Sequence, residues 1–250
     1  MIALAALLTF LLTFLLTTVF AMAGVGAAFI LIPVFLAFGV ELHTAMATAL
    51  LLNAIAMAVA SVTFIRKGLV EWRLAIPMLV LAVLASPIGV HVAQGLDRTL
   101  LLWLFVAFLL FAAAMIFFYR PKVRGAQVSI REALILGLPV GALAGFVGGL
   151  LGVGGGNIIV PALVASGLEP KRASASASFV VLFASLAGFL AHVGVADIDT
   201  NLLVSTGFAS ATGAALGAWL ASVKLGGDQL KRIIVLVLIA VAIKTAWSLL

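Results

Sequence analysis

The sequence predicts an all-α polytopic membrane protein made of two inverted repeats of five helical segments each, with a short helix after a Gly-rich hairpin turn in each repeat. Three observations carry this expectation. The 250 residues are 66% hydrophobic and 9% charged, with a mean hydropathy of +1.39, whereas soluble domains carry about 25% charged residues. The apolar runs have helical length with charges clustered between them, where a membrane barrel would show short alternating strands. The second half also repeats the first at a shift of 128 positions, and such self-similarity marks a duplicated architecture.

In chain order the apolar segments are Ile2 to Ala23, Ala27 to Val40, His43 to Phe64, Val70 to Ala93 and Asp97 to Phe118, then Ile130 to Leu151, Gly156 to Leu168, Arg172 to His192, Asp199 to Val223 and Gln229 to Leu250. The first has no basic stretch before it and no cleavage site leading into a soluble domain, so it reads as a span rather than a secretory signal. The second and seventh have only 14 and 13 residues, short of the roughly 20 needed to cross a bilayer. Both follow a glycine break. The linker Tyr119 to Ser129, "YRPKVRGAQVS", is polar and basic. It divides the chain into a first transmembrane repeat (1–118), a cytoplasmic basic linker (119–129) and a second transmembrane repeat (130–250).

The shift by 128 places Gly152-Val153-Gly154 on Gly24-Val25-Gly26, Pro161 on Pro33, Gly167 on Gly39 and Glu169 on Glu41. No gap is needed until after Ala93, where a small insertion precedes the match of Asp228 with Asp97. Gly137, Gly141, Gly145 and Gly149 fall on Thr9, Thr13, Thr17 and Ala21. A small residue every fourth position gives a smooth face on which another helix backbone can pack closely. If the short segments cross, each half has five crossings and the second half is flipped. Arg66, Lys67, Arg73, Arg120, Lys122, Arg124, Arg131, Lys171, Arg172, Lys224, Lys231 and Arg232 then share one face, opposite Glu41, Asp97, Arg98, Asp197 and Asp199. The positive-inside rule selects this arrangement, with both termini outside.

The stretch "GGLLGVGGGNIIVP" (148 to 161) and its first-half counterpart then become two hairpin turns, each leading into a short helix whose start lies toward the midplane. Helix starts carry unpaired N–H groups and partial positive charge, and glycine lets a ligand approach the backbone. Gly24, Gly26, Gly152, Gly154, Gly155 and Gly156 are therefore candidate substrate-binding positions, the alternative being tightly packed turns with no ligand. A nucleotide-binding loop fits poorly, since no Lys-Ser/Thr follows. Asn157 is the best-placed side-chain donor, unless it serves only to cap the hairpin. Asn53, with Thr48 on the same segment, and Ser174 and Ser178 from the serine run add neutral donors. No Asp or Glu lies mid-span, which disfavours a cation path. Lys244 is close enough to a segment end to snorkel to the outer interface. His43, His91 and His192 fall near the outer face, for interfacial hydrogen bonding or pH sensing.

The paired motifs "GVGAAFILIP" and "GVGGGNIIVP", in which Pro follows seven residues after the last glycine of a Gly-x-Gly turn, resemble the sulfite exporter TauE/SafE family over nearly the whole chain. The resemblance implies transport of small sulfur-containing anions such as sulfite or organosulfonates, inward in some members and outward in others. From the residues themselves, a transporter or channel for small anions stands against a membrane-embedded enzyme or accessory subunit. An enzyme would need a nucleophile with its base, a metal cluster or paired carboxylates. The sequence offers none at plausible spacing, so neither catalytic residues, nor a metal, nor a cofactor is expected. Efflux is the expected direction, since an interior-negative potential expels anions with about 2.3 kcal/mol per charge per 100 mV. The expected partners are a small anion and the lipid bilayer, with no nucleic acid. The basic residues, pI near 10.3, suit loops facing anionic lipid.

Overall fold

Long runs of Leu, Ala, Val and Phe with few helix breakers must satisfy their backbone groups within helices if they are to sit in lipid. The computed structural model describes residues 2–118, 130–193, 200–224, 227–247 and 249, with side chains left undescribed at 2–6, 118, 130, 132, 200–202, 222–224 and 227–234. Among the described residues there are ten helices and no strand: α1 (Ile2–Ala23), α2 (Ala28–Ala37), α3 (Leu42–Arg66), α4 (Trp72–Gln94), α5 (Arg98–Phe118), α6 (Ile130–Leu151), α7 (Gly156–Ala165), α8 (Pro170–His192), α9 (Thr200–Lys224) and α10 (Gly227–Trp247). Six of them, α3, α4, α5, α6, α8 and α9, are long and apolar enough over their described residues to cross a membrane. The basic linker, Asp197 and Asp199 lie outside the described residues.

Local chemistry fixes the helix ends. The Glu41 carboxylate accepts the Thr44 N–H at 3.0 Å and starts α3, while Asp97 Oδ2 accepts the Leu100 N–H at 3.2 Å at the start of α5. Each satisfies an N–H that the helix cannot. Pro170 occupies the first turn of α8, where its missing N–H costs nothing. That is why α8 begins two residues earlier than the apolar pattern suggests.

α3 and α8 form the enclosed centre. They run antiparallel: His43, at the start of α3, faces His192, at the end of α8, with ring centroids 6.3 Å apart. At the other end, Glu71 beyond α3 reaches Arg172 at the start of α8. Around them α1 packs on α9, α4 on α6, α3 on α9, α4 on α8, and α5 on α10. Exchanging the two halves turns each of these pairings into another one present or into itself. The exchange holds at atomic level. A methyl group on Gly89 would fall against the Phe146 carbonyl, and one on Gly217 against the Thr18 carbonyl. Both members of the second contact stand 128 residues from those of the first.

The spaced glycines of α6 are buried against α4, Gly137 against Pro77, Gly141 against Met78, Gly145 against Ala82 and Gly149 against Ser86. They form the smooth face that the four-residue spacing predicts, and the backbones approach closely there. In the α1–α9 pair the glycines sit on the opposite partner, Gly213 and Gly217 of α9, against Phe14 and Thr18. Outside, Leu84, Ile135, Val204, Phe208, Leu236 and Trp247 are each more than 60% exposed. An apolar surface this extensive is the face of a protein solvated by lipid.

Candidate functional site

Each helix break is built from glycines in the left-handed region, Gly24 and Gly26 at φ 71° and 77°, Gly152 and Gly154 at 71° and 76°. Side chains rarely adopt this conformation. The Gly24 N–H donates to the Ala21 carbonyl at 3.1 Å and the Val153 N–H to the Gly148 carbonyl at 2.9 Å, closing α1 and α6. The copies then diverge: Gly155, preceding α7, is left-handed at φ 79°, whereas Ala27, preceding α2, has φ −104°. With 10 residues each, α2 and α7 extend about 15 Å at 1.5 Å per residue. That is half the thickness of a hydrocarbon core of about 30 Å.

Residues 24–30 and 152–157 are all buried, and the two turns meet. A methyl group on Gly156 would lie 2.5 Å from the Val25 carbonyl oxygen. Gly24 rests on the Ser174 backbone of α8 and Gly152 on the Met46 side chain of α3, again positions related by the 128-residue shift. Asn53 of α3 touches both turns. A methyl on Gly26 would fall on its amide, and one on Gly154 would lie 2.5 Å from its Nδ2 and 2.6 Å from Ser185 Oγ. At Gly155 the space in front of the α-carbon is filled by the Ala144 carbonyl of α6, so the requirement for glycine there is met by packing within the hairpin.

The polar groups fall into two classes. Ser174 Oγ donates to the Ala23 carbonyl and Ser178 Oγ to the Ser174 carbonyl, both at 2.8 Å, so these hydroxyl protons are engaged by the backbone. Asn53 Nδ2 donates to Ser185 Oγ at 2.9 Å, leaving Oδ1 buried and unpartnered. Asn157, 3% exposed, has neither Oδ1 nor Nδ2 partnered and makes no capping bond to α7. A buried amide without partners costs roughly 1 to 3 kcal/mol, so Asn157 is expensive where it stands. Because a hydroxyl can donate or accept, turning the Asn53 amide over would let Ser185 donate to Oδ1 and free Nδ2.

Among the described residues the buried polar side chains are those of Thr, Ser, Asn and His192, with no Asp, Glu, Lys or Arg. No group of three or more His, Asp or Glu able to hold a metal occurs among them either. The junction therefore offers neutral amides, hydroxyls and two helix starts whose first two N–H groups, at Ala28 and Phe29 and at Gly156 and Asn157, lack intrahelical acceptors. Such a site can hold an anion reversibly without covalent chemistry.

Sequence reasoning missed Ser185, one more serine in a helix rich in them. It also missed the Arg172–Glu71 ion pair at 3.1 Å, supported by the Glu71 N–H donating to Ser176 Oγ at 2.8 Å. These partners stand about a hundred residues apart, and only the packing of α4 on α8 joins them. Thr48 is buried on α3. Of the three histidines, His91 is exposed and His192 is fully buried, with Nδ1 3.0 Å from the Gly188 carbonyl and Nε2 unpartnered.

Comparison with known proteins identifies the family of the chain. The family described as Sulfite exporter TauE/SafE matches residues 9–245. A probable membrane transporter protein, y4hK, of Sinorhizobium fredii is 28% identical over 204 residues, covering 80% of this chain and 81% of its own. Probable membrane transporter protein YunE of Bacillus subtilis is 37% identical over 59 residues, 23% of this chain and 22% of its own. Sulfite exporter TauE/SafE family protein 5 of Arabidopsis thaliana is 37% identical over 65 residues, 25% of this chain but only 14% of its own. No solved structure matches. With a match spanning nearly all of its residues and a fold of lipid-facing helices, this multi-pass membrane transporter belongs to the sulfite exporter TauE/SafE family.

Proposed function

We propose that the chain is a secondary transporter that moves a small sulfur-containing oxyanion, sulfite or an organosulfonate, out of the cell, and that the anion is held where the two glycine turns meet. The observation that carries this is Asn157, an asparagine buried in the first turn of α7 with both polar atoms unpartnered. A bound oxyanion would accept from its Nδ2 and from first-turn N–H groups of α2 and α7, replacing lost hydration. Asn53 would join by the amide rotation described above. The family name supports the sulfur oxyanion. Efflux is the direction this reading favours, because the buried polar side chains among the described residues include no acid or amine, and the membrane potential alone would then drive the anion.

In this reading the repeats (1–118 and 130–250) are inserted in opposite senses around the cytoplasmic linker. The antiparallel course of α3 and α8 supports the inversion, as does the one-sided distribution of Lys and Arg. Because the turns are closed against each other and buried, the anion would enter when the two halves separate at one end, as in other transporters with broken helices. Proteoliposomes test the proposal. Flux of sulfite, sulfate, thiosulfate, sulfoacetate and taurine is measured under an imposed potential with no pH gradient. Flux of at least one sulfur oxyanion that follows the potential is the expected result. Strict dependence on a proton gradient, or transport of cations only, refutes it.

A further inference from the structure

Away from the glycine junction, the C-terminal half of α2, the start of α5 and the end of α10 border an open cavity of about 330 Å³, lined among others by Pro33, Arg98, Thr99, Leu102, Lys244 and Thr245. Two cations from distant parts of the chain thus line one space with two threonines, over an apolar floor. Among the described residues no carboxylate lines it. Asp97, next in sequence, has one carboxylate oxygen bonded to the Leu100 N–H. Arg172 pairs with Glu71 elsewhere in the molecule.

Snorkelling explains how a Lys or Arg reaches water from a helix end, but not why two of them share a cavity. Like charges around one space repel, and an oxyanion between them reverses the sign of that interaction. Nor is the pair an inheritance of the duplication. With Asp228 aligned on Asp97, the positions matching Arg98 and Lys244 are Gln229 and Ala113. The corresponding place in the other half therefore lacks both charges. The cavity is also larger than a bare small anion needs, leaving room for a hydrated one or for the glycerol-linked phosphate of a lipid.

We propose that the cavity between α2, α5 and α10 is a second oxyanion site, in which Arg98 and Lys244 bind either the phosphate of an anionic lipid headgroup or a free sulfur oxyanion. It is separate from the junction and does not depend on the junction's being the transport site. The test uses the full chain in nanodiscs, compared with the doubly substituted Arg98→Gln, Lys244→Gln protein and with Arg98→Lys, Lys244→Arg, which keeps both charges. One arm measures phosphatidylglycerol retained by native mass spectrometry. The other measures binding of sulfite and inorganic phosphate in discs of phosphatidylcholine alone. At least one arm should show binding that falls tenfold or more in the glutamine protein and persists in the charge-preserving one. Loss confined to the lipid arm identifies a headgroup, and loss in the free-ion arm a soluble anion. Asn157→Leu should leave this binding intact, whatever it does to flux. A glutamine protein that elutes as folded and binds both probes like the wild type overturns the proposal. So does a wild type that binds neither probe, or loss of this binding in Asn157→Leu.

Discussion

The two glycine turns share a backbone and differ in chemistry. Their paired glycines agree in φ to within a degree, and each rests on the long central helix of the other half. Yet where the second turn continues with Gly155 and Asn157, the first continues with Ala27 and Phe29. Phe29 is fully buried, edge to face on Phe20 at 4.7 Å. The polarity reverses on the central helices, where Asn53 of α3 corresponds to Val181 of α8. Among the described residues each half thus supplies one buried asparagine, from non-equivalent positions. The frame is alike under the 128-residue shift, whereas the buried amides it carries are not.

The sharpest way to break this comparison is at the residue after each Gly-x-Gly. Gly155→Val would require a β-branched side chain at positive φ and against the Ala144 carbonyl. It should cost several kcal/mol, enough to remove most folded protein. Ala27→Gly should cost no more than about 1 kcal/mol. Size-exclusion profiles of tagged protein distinguish the two, and equal losses would mean that the turns are not as different as their backbones indicate.

The next contrast separates binding from packing. Asn157→Leu removes a buried amide without partners, so thermal stability should hold or rise while anion flux falls by roughly five- to a hundred-and-fiftyfold, the equivalent of 1 to 3 kcal/mol. Phe29→Leu, at the matching position, should lower stability by about 1 kcal/mol or more, with flux declining only as folded protein declines. Normal flux in Asn157→Leu would move the anion site elsewhere.

A smaller effect is expected from Asn53→Val, which makes the central helices alike at this position. It leaves Ser185 without its amide partner and should cost about 1 kcal/mol in thermal stability, with a further loss of flux. If Val at 53 is silent in both measurements, Asn53 has no part in the centre.

The smallest contrast lies at the equivalent carboxylates Glu41 and Glu169. Burial raises the Glu41 pKa, but backbone N–H groups of His43, Thr44 and Leu42 and the charge of His43 outweigh it, holding the carboxyl below its ordinary value. The stability Glu41 contributes is therefore present above the ordinary carboxylate range and is lost as pH falls through the lowered value. Glu169 makes no side-chain cap bond. Because Glu41 is exposed, Glu41→Ala should cost less than about 1 kcal/mol at neutral pH, with the difference from wild type closing in acid. Glu169→Ala, which removes no side-chain cap bond, should cost less than Glu41→Ala at neutral pH. Melting curves at several pH values provide the check.

Much of the frame was legible because membrane helices are punctuated by a few residue types. The glycine breaks, the prolines and the charged loops located all ten helices, usually to within two residues, and the four-residue spacing on α6 announced its packing face. Asn157 and Asn53 stood out as amides in oily surroundings. Ser174 and Ser178 could not be sorted the same way, since whether a serine spends its proton on the backbone depends on the neighbouring helix. Ser185 gained its role from the antiparallel course of α8 on α3, and Glu71 from the packing of α4 on α8. Such pairings lie in tertiary geometry and leave no local signature.

The exchange of helices between halves bears on how the protein is made. α1 has its packing partner in α9, and α4 has its partner in α6. When α1 to α5 have been inserted, the α9-facing side of α1 and the α6-facing side of α4 are still bare to lipid or to the insertion machinery. The α1–α9 and α4–α6 pairs can therefore form only once helices of the second half have been inserted.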